Sequence, residues 1–137
     1  MQKLLCIFLL LFFASPTLAD SISDRSAVES RMHTTWDKPG KPLHVLAIAT
    51  NRQHAIVSWS QGDTAGRAIL VKNASHEWQI ATCTGAAALQ PDTLIGLGVS
   101  ADEAPKLVDA IITQEKSLSE EQRKKMDHFK MPSGQHH

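Results

Sequence analysis

The stretch from His54 to Gly85, HAIVSWSQGDTAGRAILVKNASHEWQIATCTG, limits the folds open to this chain more than any other. Three short runs rich in β-branched and aromatic residues, His54–Ser60, Arg67–Lys72 and Glu77–Cys83, are separated by QGDTAG and by Asn73-Ala74-Ser75-His76. That is the punctuation of an antiparallel β-meander. With both turns tight, Ser60 faces Arg67 and Lys72 faces Glu77, which puts Val57 across from Leu70, Trp59 across from Ala68 and Val71 across from Trp78. One face then carries Ala55, Val57, Trp59, Ala68, Leu70, Ala81 and Cys83; the other carries Ile56, Ile69, Val71, Trp78 and Ile80, with Ser58, Ser60, Arg67 and Thr82 clustered towards one end. Neither face is plainly solvent-facing. Both therefore need cover, from helices or from a second copy of the chain in a homo-oligomer.

The flanking segments supply that cover. Ser21–Trp36 reads as a helix capped by Ser23 or Asp24, with Val28, Met32 and Trp36 at i, i+4 and i+8 as its apolar stripe. Asp37–Pro42 ends it. Leu43–Thr50 reads as a fourth strand, with Leu46 and Ile48 meeting Ser58 and Ile56. After Gly85, Ala86–Leu89 begins a short helical turn stopped by Pro91, and Leu94–Val99, broken by Gly96 and Gly98, is irregular or a single helical turn. Ser100 with Glu103 forms a capping box ahead of Leu107, Val108, Ile111 and Ile112 at helical spacing. Ser119 with Gln122 opens a second, very polar helix reaching about Lys130. The expected fold class is α+β: an N-terminal helix packed on a four-stranded antiparallel β-meander, followed by C-terminal helices.

Met1–Ala19 has a lone charge at Lys3, an apolar core LLCIFLLLFF and a small-residue end, the layout of a secretory signal peptide cleaved after Ala19. The core is too short to anchor a mature chain in a bilayer. The expected organisation is a signal peptide at 1–19, a single domain at 20–130 and a loose tail at 131–137, in an exported, periplasmic protein. Cleavage removes Lys3 alone among the charges, leaving 13 basic against 14 acidic side chains. Such balance argues against nucleic acid or an acidic membrane as partner. It also removes Cys6, so Cys83 has no intramolecular disulfide partner and is buried, metal-bound or paired with another molecule.

No Walker loop, dinucleotide glycine fingerprint, H-E-x-x-H, C-x-x-C or nucleophile elbow occurs, and nothing pairs a nucleophile with a base at readable spacing. The expectation is a protein that is not an enzyme. What remains is a set of soft donors: Cys83, the group Met126-x-His128-x-x-Met131, and the terminal His136-His137. Thiolate, thioether and imidazole together suit copper, Cu(I) above all. A plainer reading stands beside this one, with Cys83 a small buried hydrophobe, Met126 a core residue and the histidine tail solvated. His33, His44, His54 and His76 fall on exposed or turn positions. In the QGDTAG turn, Gly62 and Gly66 suggest positive φ or close backbone approach, and Asp63 can satisfy turn amides or pair with Arg67. If this hairpin binds a ligand, Trp59, Gln61, Asp63 and Arg67 form its rim.

The run AIVSWSQGDTAGRAILVK…HEWQIATCTG, preceded by TWDKP…PLHVLAIA, resembles the small exported bacterial proteins called copper uptake system-associated proteins, encoded beside periplasmic copper chaperones and copper transporters. The resemblance covers roughly Trp36 to Gly85 and, beyond that, the layout of a leader in front and a His-containing tail behind. Its matching positions are Trp59, Gln61, Gly62, Asp63, Gly66, Arg67, Trp78, Cys83 and Gly85. Where the family often has Met and Gly this chain has Thr64 and Ala65, which takes a soft ligand out of the loop. The resemblance implies an accessory role in copper uptake or delivery, with a periplasmic copper chaperone or a membrane copper transporter as partner. Two other classes remain open: a metal-free interaction module of the cell envelope, and a cystatin-like or NTF2-like domain that holds a small ligand in a pocket.

Overall fold

A computed structural model describes residues 18–130. The expected leader, apart from the backbone of Leu18 and Ala19, and the expected tail from Met131 to His137 lie outside the described residues. The chain runs α1 (Leu18–Trp36), β1 (His44–Thr50), β2 (His54–Gln61), β3 (Thr64–Lys72), β4 (Trp78–Thr84), a 3-10 turn (Ala86–Leu89), α2 (Pro91–Gly96), α3 (Glu103–Glu115) and α4 (Glu120–Asp127). The four strands form one antiparallel sheet in the order β1-β2-β3-β4. This is the expected α+β meander.

Registers differ from the expected ones, each for a local reason. The first hairpin turns in two residues, Gly62 and Asp63, with Gln61 opposite Thr64. Gly62 sits at φ +58°, the left-handed first position of a type II′ turn, whose twist matches the strands it joins. Arg67 consequently lies opposite Ser58, Val57 opposite Ala68 and Trp59 opposite Gly66, a slip of two residues from the expected pairing. Because side chains alternate with a period of two, an even slip keeps every residue of β2 and β3 on its expected face.

β4 does not keep its expected faces. A bulge places Leu70 opposite Ile80 and Ile69 opposite Thr82, leaving Ala81 as the extra residue. Lys72 meets Trp78 rather than Glu77, and Trp78 and Ile80 join the face of Leu70 and Cys83. A second bulge at Leu46 moves β1 by one, so Ile48 faces Val57, Ala49 faces Ile56 and Ala47 faces Ser58.

Both faces of the sheet are covered by the chain's own helices. Val28 and Met32 of α1, both wholly buried, pack with the half-buried Trp36 against Val57, Leu70, Trp78 and Cys83. On the opposite face Leu107, Val108 and Ile111 of α3 pack with Leu94 and Val99 against Ala47, Ile56 and Ile69. Burying each such aliphatic side chain is worth about 1.5–3 kcal/mol, so the two layers together are the main source of stability. Two of the caps read from the sequence are formed: Ser100 Oγ accepts from Glu103 N at 3.2 Å, and Ser119 Oγ accepts from Gln122 N at 3.1 Å. The third is not, because α1 begins at Leu18 and puts Ser23 and Asp24 inside the helix, where Asp24 Oδ1 accepts from Lys72 Nζ at 2.8 Å. α4 stops at Asp127, short of the expected Lys130.

The outer strands are closed by side chains. Gln114 treats Ile48 as a neighbouring strand would, its Nε2 donating to the Ile48 carbonyl at 2.6 Å while its Oε1 accepts from the Ile48 N–H at 3.1 Å. Arg25 adds a donor to the same carbonyl at 2.7 Å, and Arg31 Nε donates to the Trp78 carbonyl on β4 at 2.7 Å. Filling open backbone groups in this way discourages edge-to-edge pairing.

Candidate functional site

Arg67 leaves the middle of β3 and is 1% exposed, so its charge is stable only where it is paired. Its Nε and Nη2 reach Glu115 Oε1 and Oε2 at 2.8 and 3.1 Å, and its Nη1 reaches Asp127 Oδ1 at 2.7 Å and the Gly85 carbonyl at 3.3 Å. Ser58 Oγ donates to Glu115 Oε1 at 3.1 Å. Burial alone would weaken the guanidinium's hold on its proton, but Glu115 and Asp127 more than offset it, and Arg67 is held above the ordinary arginine value. One arginine thus ties the end of α3 and the end of α4 to the sheet. The pairing with Asp63 raised from the sequence does not form; Asp63 is exposed.

The other rim residues are also structural. Gln61 Nε2 donates to the carbonyls of Trp36 and Lys41 at 2.6 and 2.9 Å, fastening β2 to the end of α1. Trp59 is buried edge-to-face against Phe129, with ring centroids 5.2 Å apart and planes at 78°. Gly66, opposite Trp59, makes room for this pair: a Cβ there would lie 2.8 Å from the indole and 2.9 Å from the Phe129 ring. Of the four rim residues, Asp63 remains open to solvent. It borders a groove of about 840 Å³ between the β2–β3 hairpin and α4, with Thr64 and Ala65 on the hairpin side and Glu121, Lys125, His128, Phe129 and Lys130 on the other.

The soft donors separate sharply. Cys83 is 6% exposed within the α1-side core, and burial pushes its thiol up to about 11. At pH 8 only about one molecule in a thousand would carry the thiolate that binds metal or attacks a reagent. Labelling of native chain by a thiol reagent at pH 8 is therefore expected to run at least a hundredfold slower than in urea, with Cys83 as the site; equal rates would show the thiol to be accessible. Met126 is wholly buried. His128 is exposed at the C-terminal cap of α4, and its Nδ1 lies 2.8 Å from the Lys124 carbonyl. A carbonyl only accepts, so Nδ1 carries the proton and Nε2 presents its lone pair outward. Met131, His136 and His137 lie outside the described residues, three to nine positions beyond His128.

The remaining histidines bring no ligand set together. His33 has two carboxylate neighbours on different ring nitrogens, Glu29 at 3.7 Å from Nε2 and Asp37 at 3.1 Å from Nδ1, an arrangement that cannot converge on one ion. Asp37 is held below the usual carboxylate range by the Leu43 N–H and then by His33. Burial lowers His54, partly offset by the Leu97 carbonyl. Among the described residues no group of three His, Cys, Asp or Glu side chains is placed to hold a metal ion.

Sequence reasoning missed three members of this region, Glu115, Asp127 and Phe129. Glu115 continues the buried stripe Leu107, Ile111 at i+4, an acid where the helical period demands an apolar residue, and that was the signal for a buried partner cation. Phe129 stands just beyond a very polar helix, an aromatic anchor at its end. Among known proteins, no family model, no curated protein and no solved structure matches this chain.

Proposed function

We propose that this chain is an exported, non-enzymatic accessory of copper uptake or delivery, carrying copper at the end of α4 for a periplasmic copper chaperone or a membrane copper transporter. The carrying observation is His128: an exposed imidazole whose Nδ1–H is tied to the Lys124 carbonyl, leaving Nε2 as a donor next to the segment that contains Met131, His136 and His137. Holding one ring nitrogen by a backbone carbonyl orients the other for a metal. Imidazole with thioether is a donor set that accepts Cu(I). Cys83 and Met126 do not fit that role, the thiol because burial keeps it protonated and both because they are enclosed in packed protein. The resemblance over Trp36 to Gly85 supports the copper context, while the residues that carry it are those that build the sheet and seat α4.

Anaerobic titration of the chain from Asp20 onward with Cu(I) against a chromogenic competitor tests this reading. About one equivalent should bind. His128→Ala and truncation after Lys130 should each weaken binding tenfold or more, ~1.4 kcal/mol, whereas Cys83→Ser should leave it within twofold. An intact chain unable to compete with a weak chelator would sink the carrier reading in favour of a metal-free interaction module.

A further inference from the structure

We infer that α4 is a hinged arm that two copies of this chain exchange: by straightening at Ser119 it leaves its own seat on the sheet and fills the same seat of a second copy, giving a symmetric dimer. The inference is independent of the copper reading above.

The hinge is one residue long. Past the end of α3 the backbone keeps helical bonding, with Lys116 N donating to the Thr113 carbonyl at 3.4 Å, Ser117 N to that of Gln114 at 3.3 Å and Leu118 N to that of Glu115 at 3.0 Å. Ser119 alone departs, extended at φ −67° and ψ 154°, and Glu120 already opens α4. Turning ψ at Ser119 to the helical value joins α3 and α4 into one helix from Glu103 to Asp127. The bond from Gln122 N to Ser119 Oγ, at 3.1 Å, is lost. In its place the first N–H groups of α4, which a helix start leaves without helical partners, find the carbonyls of the preceding turn. Ser117 and Ser119 are exposed and Leu118 is half-buried, so little packing resists the change.

Arm and seat also separate without stranding a charge. Glu115, at the fixed end of α3, holds Arg67 through Nε and Nη2, so withdrawing Asp127 from Nη1 leaves the buried guanidinium neutralised. The moving arm does uncover apolar groups: Met126, wholly buried in the closed chain, and Phe129, packed edge-to-face on Trp59. In the straight helix Met126 lies about 16 Å along the axis beyond Glu115, away from its own seat. A second copy opened in the same way supplies the missing surface. Its seat is shaped for this helix end: at Gly85 the carbonyls of Met126, Asp127 and Phe129 fill the space a Cβ would take, and at Gly66 the Phe129 ring does so. The contacts of two closed chains are remade between them, and the hinge is what changes. The balance of the two forms is therefore set by the hinge residues and by concentration.

Light scattering on size-exclusion fractions of the chain from Asp20 onward, loaded over a range of concentrations, reads the monomer–dimer balance. The parent should form a dimer whose share rises with concentration. Ser119→Ala removes the cap and favours the straight helix, so it should raise the dimerisation constant about tenfold or more. Glu120→Pro should act in the opposite sense. Proline suits the first position of α4 and the extended Ser119 before it, but breaks a continuous helix, so this variant should stay monomeric and folded at every concentration. The bond it deletes, Lys124 to Glu120, is exposed. Mixing separates exchanged arms from a surface contact. Gly85→Ala damages the seat and keeps the arm, whereas Phe129→Ala damages the arm and keeps the seat. An exchanged heterodimer unites the intact arm with the intact seat, so the mixture should dimerise about tenfold more readily than either variant alone. Parent and Ser119→Ala both monomeric throughout, a dimer that survives Glu120→Pro, or no gain on mixing would each overturn the exchange.

Discussion

Replacing Arg67 by methionine is expected to destabilise the domain by about 3–5 kcal/mol, the cost of stranding a buried charge. Glu115 is 2% exposed and would keep only the Ser58 hydroxyl as a partner once the guanidinium is gone. For a domain of this size total stability is about 5–15 kcal/mol, so the variant sits near the edge of folding. Urea unfolding followed by tryptophan fluorescence reads the loss. A double variant separates the loss of charge from the loss of shape. Arg67→Met with Glu115→Leu removes both charges and fills a similar volume, so it should recover most of the lost stability. Asp127→Asn should cost far less, about 1 kcal/mol, because Asp127 keeps 43% of its side chain in water and Glu115 still neutralises Arg67. A double variant as unstable as Arg67→Met would show that the arginine acts by packing and not by pairing.

Gly85→Ala is expected to cost about 3 kcal/mol and to release α4 from the sheet. A Cβ at this position would lie 2.5 Å from the Asp127 carbonyl oxygen and 2.9 Å from those of Met126 and Phe129. All three obstacles are backbone, so no rotamer change relieves them. The helix end must move, taking with it Met126, which is wholly buried, the Asp127–Arg67 bond and the edge-to-face contact of Phe129 with Trp59. Faster hydrogen exchange should therefore appear first in Glu120–Asp127, with β2 and β3 retaining slow exchange until global unfolding. Gly96→Ala is the control. A Cβ there meets nothing within 4 Å, and alanine inside α2 should be neutral or stabilising by a few tenths of a kcal/mol. Equal effects of the two substitutions would remove the close approach of α4 to Gly85 as the reason for that glycine.

Arg67 and Gly85 both bear on how α4 is held, and His128 is the residue that caps its end. Its sequence, EEQRKKMD, has one apolar residue. A helix so polar has little packing energy of its own. It stays in place through Met126, the ion pair of Asp127, and Phe129 just beyond its end. The donor nitrogen of His128 is thus positioned by contacts that lie on the opposite side of the helix end from solvent.

Much of the architecture was legible in the residues. Alternating apolar runs with Gly/Asp and Asn punctuation marked four strands, the spacing Val28, Met32, Trp36 marked the helix that covers one face, and Ser100 and Ser119 marked the starts of the last two helices. These signals are local, each read within a turn of helix or a few residues of strand, and local physics is enough to produce them. Two apolar sheet faces also required two covering layers, and α1 and α3 supply them.

What tertiary structure alone decided lies at longer range. The bulge at Ala81 turns Trp78 and Ile80 to a new face and the one at Leu46 shifts β1 by one residue, because the two-sided packing, and no property of the strand itself, selects their register. Arg67 was read as a loop-rim residue because its partners are 48 and 60 positions away, and nothing near Arg67 in the chain announces them. The soft donors divided in the same way. Composition placed thiol, thioether and imidazole in one chain, but burial chose among them, enclosing Cys83 and Met126 and leaving His128 in water. Sequence alone determined the elements and their apolar faces, because periodicity and capping act between near neighbours. The fold decided which polar groups are structural and which are free to act, because desolvation and charge pairing depend on what the folded chain brings from far away.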